Sequence, residues 1–190
     1  MRIICFFIFF LVIGGCKERY NPKPKGYLRF DFEKKIDTKF SIEKCPFYFF
    51  APNYYEFEIK NNKYCWFNLR YLKHGATIHL TYKPIQNDLF KLLEESRNMV
   101  YKHTIKADAI NEKLYHNKKS NTYGTLYDIS GETASSVQFH LTDSTKNFLR
   151  GSLYFDVSTN EDSLKPIIDY LRQDIFCLLY TSDAADDRMR

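Results

Sequence analysis

Past its first fifteen residues the chain has no apolar run near the 20 or so residues that a helix needs to cross a bilayer. It has no block of like charge either. The 28 Lys+Arg and 23 Asp+Glu leave a net +5 that is spread along the chain. Nucleic-acid binders concentrate basic residues in a patch, so no nucleic-acid partner is expected. Residues 119–124 lack the glycines of a phosphate-binding loop, and no GxGxxG or GxSxG pattern occurs. His74, His79, His103, His116 and His140 show no zinc-ligand spacing, so no metal is expected. Ser136, His140 and Asp143 suggest a hydrolase. On one strand, however, Ser136 and His140 would stand about 13 Å apart, too far for a nucleophile and its base. Nothing in these patterns asks for an enzyme.

What is there begins at the N-terminus. Met1 and Arg2 precede eleven apolar residues, then Ile13-Gly14-Gly15-Cys16. The run is too short to span and suits the apolar region of an export signal followed by small residues. A cysteine directly after them resembles the bacterial lipobox, in which the thiol takes lipid and the chain is cut before it. A plain cleaved signal is the alternative. Acyl chains contribute about 0.8 kcal/mol per buried methylene, so two or three of them on Cys16 would anchor the chain stably. No cofactor is expected beyond that covalent lipid. Lys17, rather than aspartate, follows Cys16 and leans the location toward the outer membrane over the inner, facing the periplasm.

The expected organisation is residues 1–15 as signal, 16–26 as lipidated cysteine and Pro/Lys linker, and 27–176 as one domain. Residues 177–190 look like a non-native read-through tail, with an ordinary terminus as the alternative. Aromatic content of 17% supplies bulk for a core. The linker's two prolines favour an extended spacer, and its lysines are either solvated or in contact with lipid phosphates.

Period-2 alternation predicts strands. Residues 27–32 alternate weakly as an edge strand; residues 54–60, 65–71 and 76–83 follow, the last with Ala76, Ile78, Leu80 and Tyr82 inward. Asn87 is the expected cap of a helix whose stripe includes Leu92, Ser96 and Val100. Residues 102–109 are left between irregular structure and a new strand. Three strands are expected at residues 122–129, 136–142 and 148–157, then a closing helix from about Ser163 with Pro166 in its first turn. The class is α+β: an antiparallel sheet with two amphipathic helices packed on it. The order of helix, three strands and helix is similar to the PsbP/Mog1-like fold. The polar strand positions Thr77, His79, Thr81, Gln138 and His140 are expected outside, where a partner or ligand could dock.

Cys45 and Cys65 remain in an exported body. Outside the cytoplasm they are a candidate disulfide, closing a loop of about 20 residues for roughly 3 kcal/mol. Two separate buried thiols are the alternative.

The words PKPKGYLRFDF, CWFNLRY, ATIHLTYKPI, YKHTIKADAINE, ASSVQFHLTDSTKNFLRGSLYF and DSLKPIIDYLRQDI, in that order, resemble the gliding-motility lipoprotein GldD family of Bacteroidota. The resemblance runs from Lys23 to Ile175. It implies a membrane-anchored accessory component of gliding and of linked type IX secretion, an assembly or interaction part whose partners are other gliding and secretion proteins. It brings no catalytic residue; it carries Cys16 as lipid site and Cys45 with Cys65 as a bridge. The competing expectation is an envelope lipoprotein that binds or hydrolyses a small ligand.

Overall fold

The computed structural model describes residues 31–42, 45–118, 121–156, 161–181 and 183–184. The signal, Cys16 and the 16–26 linker lie outside the described residues.

Two sheets form. Strands β1 (Asp37–Ser41) and β2 (Phe47–Pro52) pair antiparallel, and a two-residue β10 (Asp183–Ala184) joins β2. The larger sheet has seven strands: β3 (Glu56–Asn61), β4 (Trp66–Tyr71), β5 (Ala76–Pro84), β6 (Ala107–Asn117), β7 (Thr122–Gly131), β8 (Ser135–Thr142) and β9 (Asn147–Phe155). Their order is β3-β4-β5-β9-β8-β7-β6, antiparallel throughout. It is two meanders joined where β5 pairs with β9, from Ala76 opposite Phe155 to Pro84 opposite Asn147. Helix α1 (Leu89–Tyr101) carries the chain across one face from the middle of the sheet to its far edge. Helix α2 (Glu161–Thr181) packs with β1 and β2 on the other face. The class is the α+β one expected.

Alternation places the core. Phe67, Leu69, Ile78, Leu80, Phe139 and Leu153 all point to the α2 face and are nearly inaccessible. Ile167, Leu171 and Ile175, at spacings of four, supply the facing stripe of α2. Each such aliphatic burial stabilises by about 1.5–3 kcal/mol. Phe47, Phe49 and Phe57 surround the Phe67 ring at centroid distances of 5.9, 5.4 and 5.2 Å. Gly151 makes room for Phe139 opposite it: a Cβ there would lie 2.2 Å from the ring.

Three expectations change. Four strands, not three, separate the helices. Strand β6 shows no alternation because it is a sheet edge, with most of its side chains exposed. Asp31 and Phe32 are not in a strand; Phe32 stacks on Tyr170 at 4.2 Å. Asn87 is not the cap, since it takes a left-handed φ of 60° and Asp88 precedes the first helical residue.

Candidate functional site: the polar face of the sheet

The face opposite α2 is polar. The strand registers align one residue per strand into a row across all seven: Glu58, Asn68, His79, Ser152, Gln138, Tyr127 and Glu112. Neighbours in the row bond sideways. Asn68 Nδ2 donates to Glu58 Oε2 at 3.0 Å, and His79 Nδ1 meets Asn68 Oδ1 at 2.8 Å. The adjacent row runs Trp66, Thr81, Arg150, His140 and Thr125.

Helix α1 divides this face. Its buried residues Leu92, Ser96 and Val100 lie at spacings of four over the β9-β8-β7 side. Val100 packs with Tyr127 and Ile129. Gln138 and His140 are therefore not outside as expected: they are 1% and 5% exposed. They do point away from Phe139, but α1 covers the surface they point to. Gln138 bridges a guanidinium and an imidazole: its Oε1 accepts from Arg150 Nη2 at 3.1 Å, and its Nε2 donates to His103 Nε2 at 2.9 Å. Accepting that bond requires a neutral His103, in line with burial and the Arg150 charge lowering its pKa. Burial pushes the His140 imidazole down to about 4, and its Nδ1 is buried without a partner. His140 stacks on Phe148 at 5.6 Å.

On the β3-β4-β5 side α1 meets the Trp66, Thr81 and Lys83 end of the face, through Leu92, Glu95, Ser96 and Met99. His79 is exposed, Thr81 half-buried and Thr77 buried at 9%. Tyr64 and Trp66 are exposed at 50% and 41%, with ring centroids 5.7 Å apart. His79 and His140 do not meet, because β9 separates their strands and they sit in different rows. Among the described residues no group of three His, Cys, Asp or Glu side chains could hold a metal ion.

Cys45 and Cys65 form a disulfide, with sulfurs 2.13 Å and Cα atoms 5.8 Å apart. It ties the approach to β2 to the start of β4, within the apolar cluster on the α2 side.

A second polar cluster went unread in the sequence. Asp174 of α2 is wholly buried and accepts from Tyr54 OH at 2.5 Å and Tyr55 OH at 3.0 Å. Lys35 Nζ lies 2.5 Å from its other oxygen. Burial and the carboxylate raise both tyrosine pKa values, and burial pushes neighbouring Tyr71 up to about 12. Tyr170 OH donates to the Glu33 carbonyl at 2.9 Å, and Lys73 Nζ donates to that of Asp31 at 3.1 Å. The strap of residues 31–36 is thus pinned on the α2 side, behind the polar face.

The family model for the gliding motility lipoprotein GldD matches residues 17–183. Among solved structures the chain is similar to cyanobacterial PsbP from Synechocystis sp. PCC 6803, at 13% identity over 81% of this chain and 98% of that one, with a TM-score of 0.45. No curated protein matches the chain.

Proposed function

The chain belongs to the gliding motility lipoprotein GldD family, and from that premise we propose that it is an assembly component of the gliding machinery and linked type IX secretion. A lipid on Cys16 would hold it in the outer membrane, facing the periplasm, with Lys17 rather than aspartate after the anchor supporting that side. The domain binds another protein of the machinery through the open β3-β4-β5 face.

One observation carries this reading: that face combines an exposed aromatic pair, Tyr64 and Trp66, with the bonded row Glu58, Asn68 and His79. Binding energy concentrates in such aromatic anchors, while a polar surround fixes orientation. The row mixes a carboxylate, an amide and an imidazole, so it suits a partner that presents both donors and acceptors. The pinned strap supports the orientation, because it enters on the α2 side and leaves the polar face turned away from it.

The test is a photo-crosslinking residue at position 79 in the native bacterium. Irradiation is expected to yield one discrete adduct between this lipoprotein and another envelope component of gliding or secretion. Adducts with lipid alone, or none, would refute the reading.

A further inference from the structure

A cavity of about 180 Å³ opens between α1 and strands β4, β5 and β9. Trp66, Leu92 and Phe148 form apolar walls, and Thr81 and Arg150 bring polar groups into it. Exposed Lys83 and Glu95 close one side as an ion pair of 2.9 Å, so their charges cancel.

Arg150 is left uncompensated. Its Nη2 donates to neutral Gln138. Its Nη1 has the Met99 thioether as acceptor, a weak one. Its Nε is buried without a partner. None of the ion pairs among the described residues includes it. Arg172, on the α2 side, shows the contrast: its guanidinium meets both Asp128 and Asp169. A partly buried guanidinium favours a carboxylate, which its planar fork bonds at two points.

We infer that this cavity binds a small monocarboxylate with a short apolar body. The carboxylate displaces the Met99 sulfur from Nη1 and takes the guanidinium. The body lies against Trp66, Leu92 and Phe148. One uncompensated cation calls for a single negative charge. The volume sets the size, since a cavity of about 150 Å³ accommodates benzene. Met99 is 39% exposed and unbranched, so it can swing aside as the acid enters.

The chain's single tryptophan lines the cavity and reports on it directly. Full chain in detergent is titrated with hexanoate and, separately, with hexanamide, while tryptophan emission is followed. Hexanoate is expected to give a saturable change with a millimolar or tighter Kd, and hexanamide none. Equal responses to the two, or no saturation with hexanoate, would overturn the inference. Arg150→Lys is expected to weaken hexanoate by about tenfold or more, because the two-point fork is lost; unchanged affinity would contradict it. The acid–amide pair on the unaltered chain decides the matter even if that variant does not fold. A peptide ending in a free leucine carboxylate tests the other source of the same group. It is expected to bind at least about tenfold more weakly, since backbone does not fit a cavity of this size; equal or tighter binding would overturn the assignment to a small acid.

Discussion

On the α2 side of the seven-stranded sheet, aromatic and aliphatic rows interlock with a helix stripe and a second small sheet. The one wholly buried carboxylate among the described residues, Asp174, lies there with two hydroxyls and an ammonium around it. On the α1 side the same strands present Asn, His, Ser, Gln and Arg, and the helix above them touches down through a narrower stripe centred on a serine. Groups are left over on that side: a buried imidazole nitrogen and a guanidinium without a carboxylate. A sheet needs only one apolar face to fold. The other face is then free to carry polar side chains that serve binding.

The largest effect should come from breaking the buried carboxylate cluster. Asp174→Ala strands Lys35, Tyr54 and Tyr55 and is expected to cost about 3–5 kcal/mol in chemical denaturation. A loss under 1 kcal/mol would erase the distinction between the faces.

The polar face should instead reveal itself in pH. The unfolded His140 takes up a proton below about 6.5, whereas the folded one resists until about 4. The unfolded state therefore binds more protons in that window, and stability falls as pH drops from 6.5 toward 4, by about 3 kcal/mol in all. Glu112 opposes the shift but does not offset burial. His103, His79 and His74, also lowered by burial, act in the same direction. His140→Gln should flatten most of the slope between melts at pH 7 and pH 4.5; an unchanged slope would mean that α1 does not bury this imidazole.

Reducing the disulfide comes next in the comparison, because it staples the small sheet to β4 within the apolar side. Cys45→Ser with Cys65→Ser should lower stability by about 3 kcal/mol for a separation of 20 residues. It should also loosen the start of β4, where Trp66 sits. Hydrogen exchange in β4 that stays as slow as in β8 would sink that link.

The smallest effect on stability belongs to the open face. Trp66→Ala should shift the denaturation midpoint by no more than about 0.5 kcal/mol.

Much of this was legible in the sequence. The alternation of β5 fixed its inward residues, and the stripes of both helices were readable because each has one apolar side. Period 2 correctly turned Gln138 and His140 away from Phe139, but periodicity reports which side a residue faces and not what covers that side. Ser96 was the available signal: a serine in the middle of a buried stripe suits a helix lying on polar side chains. Strand β6 was hidden because most of its side chains are exposed, which leaves little alternation to show. The Asp174 cluster was out of reach, since its tyrosines lie 119 and 120 residues away in the chain. Arg150 gave no sign either, because its meaning rests on the carboxylate that is not beside it.

The division of labour between the faces is tested most directly by gliding speed in the native bacterium. Two strains are compared at matched protein level, one with Trp66→Ala and His79→Ala on the open face, one with Gln173→Ala on the exposed side of α2. The account predicts that the first strain stops gliding and secreting while its protein melts normally, and that the second behaves as wild type. Normal gliding in the first strain, or equal loss in both, would contradict it.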